Sequence, residues 1–413
     1  MSDPADPRSL RAAVVGGSIG GCAAVLALHR AGWRDITVYE RTGGDLAERG
    51  VGVAVIEPRY AELAAAGLLD PAMPWAPVTR REWYVRGGTA PLGRLIHTEE
   101  HFGPVRTCTW GALWRGLRTA VADRADFRAG TPVASVTVLP GGAEVRPAAA
   151  PGREARADRH DLVIGADGYR SVVREAVHAG IRPRYAGYWA WRGAFPEDRL
   201  PDAGLWGRTT VVYAVFDGGH LVVYRIPGPA GGTHVNWVLY AAPPPDAPVV
   251  DAEPGSLPPG TLSGALHTYV TGLAADRLPP FWARMIALTA PGELFTQPLY
   301  DFWADPGVSG RVALLGDAAS VARPHTGAGA VKALQDAAGL GAALAASPTD
   351  PGGALLRYDA ARAARGRELV DLGRRLGRAL VEEARDWSSI DAAGLADVWR
   401  HADASGLFGG RAR

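Results

Sequence analysis

Lysine is almost missing from this chain. Of 44 basic residues among 413, only Lys332 is a lysine, and the rest are arginines. Cysteine is nearly as scarce: Cys22 and Cys108 are the only two. Two cysteines cannot build a disulfide framework, and neither belongs to a C-x-x-C metal or redox motif. An excess of either charge is missing too, since 43 acidic residues leave a formal charge of +1. That balance gives no field for steering a polyanion, which argues against nucleic acid as a partner. No apolar run approaches the roughly 18 residues a membrane span requires. The opening "MSDPADPRSLRAAVVGG" has no charged-then-apolar signal segment. The sequence therefore predicts a cytoplasmic protein with no membrane partner. No internal repeat is visible.

The length suggests two domains, or one elaborated α/β domain. "RAAVVGG" reads as a short strand ending in glycines, "CAAVLALHRAG" as a helix closed by Gly32, and "DITVYE" as a second strand ending at Glu40. Strand, glycine turn, helix and strand make the βαβ unit of a parallel, Rossmann-like sheet. "ARADRHDLVIGADG" and "GRVALLGDAA" are two more buried-strand patterns, each ending in an acidic residue beside glycine. From about Tyr185 to Trp237 the character changes to aromatic and β-branched strands separated by Gly/Pro turns, which predicts an inserted antiparallel sheet. "AAPPPDAPVVDAEPGSLPPG" is a Pro-rich surface segment. From about Asp350 the tail is Ala/Arg/Leu-rich at helical spacing.

"VVGGSIGG", from Val14 to Gly21, admits two readings. Gly16-Gly17-Ser18-Ile19-Gly20 is a G-x-S-x-G, the elbow that presents a hydrolase nucleophile. Gly16 to Gly21 is a dinucleotide fingerprint with Ser18 at the middle glycine. A nucleophile elbow follows several strands, because its oxyanion hole needs N–H groups from another loop. Ser18 has one short strand before it. A dinucleotide turn opens the first βα unit and expects an acid about 20 residues on, and Glu40 answers that. The glycines let a pyrophosphate approach the helix N-terminus, where free N–H groups and the dipole favour an anion. A purely structural glycine turn stays as the bland alternative.

The combination of "VVGGSIGG…VYER", "DLVIGADGYRSVVR" and "RVALLGDAASVARPHTGAGAVKALQDA" resembles the single-component FAD-dependent aromatic hydroxylases of the p-hydroxybenzoate hydroxylase type, over about Arg11 to Leu344. "YAGYWAWRG", "GDAASVARPHTGAG" and "VNWVLY" are most similar to the 2,6-dihydroxypyridine hydroxylase group within it. The resemblance implies bound FAD, NAD(P)H as reductant, O2 as co-substrate, and attack on an electron-rich aromatic or N-heteroaromatic ring by a flavin C4a-hydroperoxide. It divides the chain into a discontinuous FAD-binding domain (1–80, 100–182 and 285–345), a substrate-binding β-sheet domain (81–99 and 183–284) and a C-terminal helical segment (346–413). Monomer and homodimer are both left open.

The same resemblance places Gly16, Ser18, Ile19 and Gly21 at the FAD pyrophosphate, Glu40 at the adenosine ribose and Arg41 beside the adenine. Asp167 belongs to a motif associated with both FAD and the pyridine nucleotide, and a helix N-cap is its structural alternative. Asp317 falls at the ribityl and ribose region, and Gly327, Ala328 and Gly329 at the flavin ring. The candidate catalytic residues are His325, Pro324 and Arg192. His325 suits proton exchange near neutral pH, and a structural histidine bonded to backbone is its alternative. Trp189, Trp191, Tyr213, Tyr224, Asn236 and Trp237 are the candidate substrate residues, although strand alternation turns about half of them elsewhere.

The chain also departs from the family pattern. Ala328 and Val331 replace the usual Gln and Asn, so flavin contact there falls to the backbone. Trp110 stands where many relatives carry an arginine. "HTEEH" sets His97 and His101 four apart, but Gly103-Pro104 argues for a loop, and no metal site is expected. A halogenase reading fails because Lys332 follows the flavin loop and "WAWRGA" lacks Ile-Pro. The alternatives kept are an epoxidase or hydroxylase of a larger natural-product scaffold, and a flavin reductase that transfers no oxygen.

Overall fold

The computed structural model describes residues 7–47, 52–149, 156–229, 231–245, 247 and 261–402. Most of the Pro-rich segment at 241–260 lies outside the described residues.

The first strand, Arg11–Val15, lies inside a six-stranded sheet ordered Val308–Ser309, Val312–Leu314, Leu162–Gly165, Arg11–Val15, Asp35–Glu40, Asp126–Ala129. All its pairings are parallel except the edge hairpin. A parallel strand is covered on both faces and needs apolar side chains at successive positions. Ala12 and Val14 accordingly enter the core with the helices Ile19–Arg30 and Gly329–Ala345, while Ala13 and Val15 pack toward the small sheet Val133–Leu139, Gly142–Pro147 and Asp158–His160.

The second sheet has eight strands: Ser320–Val321, Leu294–Trp303, Arg184–Pro196, Thr233–Ala241, Gly219–Pro227, Thr210–Phe216, Arg80–Val85 and Arg94–Glu99. It is antiparallel except where Thr210–Phe216 runs parallel to Arg80–Val85. The division above assigns residues 285–345, and with them the strand Leu294–Trp303, to the FAD-binding domain. That strand pairs instead with Arg184–Pro196, its alternate burial suiting a sheet with two different faces.

Those faces decide where function sits. One face, with Trp189, Trp191, Phe195 and Trp237, is sealed beneath the helices Gly264–Arg277 and Pro280–Ala287. The other, with Tyr188, Tyr213, Val222, Val238 and Tyr240, looks toward the C-terminal segments Pro351–Gly377, Arg378–Glu382 and Ala392–His401. A three-stranded sheet, Gly52–Ile56, Val105–Thr109 and Ala76–Val78, links the halves, and the Thr107 hydroxyl donates to the Arg225 carbonyl at 2.7 Å. Among the described residues no helix is long and apolar enough to cross a membrane, and no His/Cys/Asp/Glu cluster could hold a metal. His97 and His101 are exposed, His97 on an edge strand and His101 in the turn beyond it.

Candidate active site

A single cavity of about 800 Å³ runs from the glycine turn, past the ends of the parallel strands, to the second sheet. Its first wall is the turn itself. Gly16 has φ +102, and a Cβ there would stand 2.4 Å from the Ala166 carbonyl oxygen, so only glycine fits. Gly21 packs so tightly that a Cβ would meet the Gly16 carbonyl oxygen at 1.8 Å. It therefore shapes the turn from behind, whereas Gly16, Ser18, Ile19 and Gly20 line the cavity. Glu40 holds the loop open: one carboxylate oxygen accepts from Gly17 N–H at 2.7 Å and the other from Thr42 N–H at 2.8 Å. Each oxygen keeps a lone pair for a further donor. Arg41 lies at the rim and Trp110 in the wall. The Trp114 indole pins Gly17 through its carbonyl at 3.0 Å.

Two carboxylates face the middle of the cavity. Asp167 uses Oδ2 to accept from Val172 and Val173 N–H at 2.8 and 3.3 Å, while Ser171 is the formal N-cap of Val172–Val177. Asp167 Oδ1 is buried with no partner among the described residues. Burial raises this carboxyl above its ordinary range, with opposition from the Ser171 hydroxyl and backbone N–H groups. The capping and ligand readings of Asp167 thus coexist in different oxygens. Asp317 also lines the cavity, and its carboxyl is raised by desolvation against the lowering effect of Lys332.

The loop Pro324–Thr326 leads through Gly327, at φ +61, into the helix Gly329–Ala345. A Cβ on Gly329 would meet nothing, so the first N–H groups of that helix open on free space. Ala328 and Val331 are buried and offer no side-chain donors.

Beyond this loop lies the sheet wall: Arg192, Tyr213, His220, Tyr224 and Tyr240, interleaved with Val211, Val222 and Val238. Among the described residues no carboxylate lines this half, and the acidic wall residues are Glu40, Asp167 and Asp317. Arg192 Nε is buried without a partner among the described residues. Its charge opposes the burial that pushes the Tyr240 hydroxyl up to about 12. Burial pushes His220 down to about 3. His325 stands with its ring centroid 4.4 Å from Tyr240 and 5.2 Å from His220. Burial first, then His220, Arg323 and Arg192, hold His325 well below its ordinary value, so it is neutral.

The tautomer follows from its neighbours. His325 Nε2 is 2.7 Å from the Tyr188 hydroxyl, whose oxygen accepts from Arg323 Nη1 at 3.4 Å. Arginine only donates, so Nε2 is the acceptor on hand for the Tyr188 proton, and the neutral imidazole paired in that way carries its own proton on Nδ1. Nδ1 has no partner among the described residues. Arg323 is in turn held by Asp301 at 2.9 Å and by Glu382.

Of the residues expected from sequence, Gly16, Ser18, Ile19, Glu40, Arg41, Asp167, Arg192, Tyr213, Tyr224, Asp317, Pro324, His325, Gly327, Ala328 and Gly329 share the cavity wall. Trp189, Trp191 and Trp237 do not. They sit on the odd-numbered residues of their strands, and their indoles fill the core beneath the helices, Trp237 donating to Thr289 Oγ1 at 2.8 Å. Asn236 is buried on the inner parity of its strand but off the wall. His220 and Tyr240 in the wall, and Tyr188 behind His325, were missed.

FAD is a long molecule with two phosphates and many hydroxyls, and the residues present fit it. The orphaned Asp167 oxygen, the acceptors on Glu40 and Asp317, the glycine turn and the open helix start supply partners along one continuous cavity.

Residues 185–293 match a family model described as FAD binding domain-like, and residues 274–373 match one described as FAD binding domain. The chain is 30% identical over 342 residues to the 2,6-dihydroxypyridine 3-monooxygenase of Paenarthrobacter nicotinovorans, covering 80% of this chain and 82% of that one. It is 31% identical over 382 residues to a 3-amino-4-hydroxybenzoate 2-monooxygenase of Streptomyces platensis, covering 89% and 87%. The solved structure of 2,6-dihydroxypyridine-3-hydroxylase from Arthrobacter nicotinovorans superposes with a TM-score of 0.79 at 25% identity, over 92% of this chain and 95% of that one.

Proposed function

Because the chain belongs to the FAD-dependent aromatic hydroxylases, we propose that its substrate is held as an oxygen anion against the donor-lined sheet wall, beside FAD lying along the glycine turn. The protein is an NAD(P)H-consuming monooxygenase that hydroxylates an electron-rich aromatic or N-heteroaromatic small molecule. Bound FAD supplies the electrons taken from NAD(P)H and the activated oxygen atom.

The chain's own residues bind, orient and exclude water. Gly16 and Ser18 would give the pyrophosphate a close approach to the Ile19–Arg30 helix, Glu40 would hold the ribose, and Asp317 would accept from a hydroxyl of the ribityl chain. The backbone of Gly327 to Gly329, in the cavity wall, would hold the ring. Arg192 and the Nδ1–H of His325 converge on an ionised ring oxygen of the substrate, and the tyrosines, kept protonated by burial, add neutral donors. Holding that oxygen as an anion raises the electron density of the ring, which electrophilic oxygen transfer needs. Val211, Val222 and Val238 give the ring its flat apolar seat and keep water out.

The observation that carries this reading is Arg192, its buried Nε without a partner, in a half-cavity that no carboxylate lines among the described residues. The need for NAD(P)H and two buried, unpaired cysteines favour a cytoplasmic setting. The test is NAD(P)H oxidation by the FAD-loaded protein across phenols, hydroxypyridines, hydroxybenzoates and larger aromatic scaffolds, with oxygen uptake and peroxide followed together. A ring compound that accelerates NAD(P)H oxidation and keeps the oxygen supports the reading. Fast NAD(P)H oxidation that yields only peroxide with every compound overturns it.

A further inference from the structure

The chain's one lysine is buried at the cofactor cavity. Lys332, 4% exposed, lies in the first turn of Gly329–Ala345. Its Nζ donates to the Gly316 carbonyl at 2.7 Å and to Asp336 Oδ2 at 3.1 Å. The same Oδ2 accepts from Gly316 N–H at 3.0 Å, and Oδ1 accepts from Arg362 at 2.7 Å. One helix thus grips both backbone groups of Gly316 through residues a single turn apart. The residue that follows is Asp317, facing the cavity, and Lys332 lines that cavity as well.

Stability does not account for such a pair. Removing ammonium and carboxylates from water costs as much as their attraction returns, and an apolar replacement is often neutral or better. Nor does composition, because every other basic position is arginine. A compact ammonium sends three donors in separate directions, whereas a planar guanidinium is a fork suited to one flat acceptor. Here the two acceptors are a carbonyl and a carboxylate, and one ammonium proton is left over.

We propose that Lys332 is a positioning residue for FAD, fixing the Asp317 carboxylate through the Gly316 backbone and balancing its charge so that it serves as an acceptor for a cofactor hydroxyl. This rests on the reading of the cavity as the FAD site. The charged groups around the pair are Asp317, Asp336 and Arg362, with the Tyr358 hydroxyl near Asp336.

A chain with one lysine allows a direct experiment. Protein labelled with ¹⁵N-lysine carries a single side-chain ammonium signal, which is compared between holoenzyme and FAD-stripped full chain. In parallel, FAD loss from holoenzyme is followed by flavin fluorescence for wild type, K332M and K332R at pH 6 and pH 8. The expected result is a shifted ammonium signal on FAD binding and an FAD Kd at least about tenfold weaker in K332M. That loss grows as pH falls, because desolvation raises the Asp317 carboxyl and K332M removes the charge that opposes the rise. K332R, with charge but without the Gly316 contact, falls between. An ammonium signal indifferent to FAD, or K332M holding FAD like wild type at both pH values, overturns the proposal. Should K332M fail to fold, the wild-type signal and K332R decide. If wild type itself binds no FAD, the underlying reading of the cavity has failed instead.

Discussion

The Tyr188 hydroxyl lies 2.7 Å from His325 Nε2, and a Tyr188 proton donated across this contact leaves the buried histidine with Nδ1–H to donate. Tyr188→Phe keeps the ring in place and removes that proton. The neutral imidazole then loses its preferred tautomer, and its Nδ1–H is no longer guaranteed to the substrate. A neutral hydrogen bond contributes about 1 kcal/mol, so kcat/KM should fall roughly fivefold, with more peroxide per NAD(P)H consumed. An unchanged coupling ratio in Tyr188→Phe speaks against the tautomer argument.

Arg192 stands apart from the FAD half of the cavity, so its removal separates substrate from cofactor. Arg192→Met should weaken kcat/KM for a substrate with an ionisable ring hydroxyl by about 10- to 100-fold, the range for hydrogen bonds to charged groups. The FAD Kd should stay at its wild-type value. Steady-state kinetics and flavin fluorescence on the same preparation check both halves.

Acid should destabilise the fold through its neutral histidines. His220 is held down to about 3 and His160 to about 4, both chiefly by burial, against an unfolded value near 6.5. Between those values the unfolded chain binds more protons than the native one, so unfolding free energy rises with pH. Stability is therefore complete above about 6.5 and is lost as pH falls toward the folded values. Each such histidine contributes at most about 1.4 kcal/mol per pH unit in that window. Urea midpoints from pH 7 to pH 5 should show a shallower slope in His220→Gln than in wild type; equal slopes would contradict the burial argument.

The tryptophans on the outer face make the opposite prediction. Trp237→Phe removes the bond to Thr289 and part of an indole from a closed core, which should cost about 1–3 kcal/mol. Because Trp237 never reaches the cavity, KM should not move. A KM change without a stability change would put Trp237 back at the substrate.

Much of this was legible in the sequence because backbone demands are local. The glycine turn and Glu40 at the end of the second strand are dictated by chain geometry within one βαβ unit, the acids just past two later strands, Asp167 and Asp317, sit at equally local turns, and residue types reveal them. Strand parity is different. "YWAWRG" names its tryptophans loudly, but once Arg192 is taken as facing inward, period two selects Ala190 and Tyr188 and sends Trp191 and Trp189 away. The same rule applied to Tyr224 yields Val222 and His220, and applied to Asn236 yields Val238 and Tyr240. The signal for the missed residues was present, and aromatic content outweighed alternation. The grip of Lys332 on Gly316 was less accessible, since it depends on a helix folding back beside a strand end 16 residues earlier.

The claim that the sheet wall holds its substrate as an oxygen anion is tested most directly by the absorbance of a chromogenic nitrophenol added to FAD-loaded enzyme about one pH unit below the phenol's own pKa. The account predicts that binding increases the phenolate band beyond its free-solution fraction, and that Arg192→Met abolishes the increase. A nitrophenol that binds as the neutral phenol, with the phenolate band falling as the site fills, would contradict it.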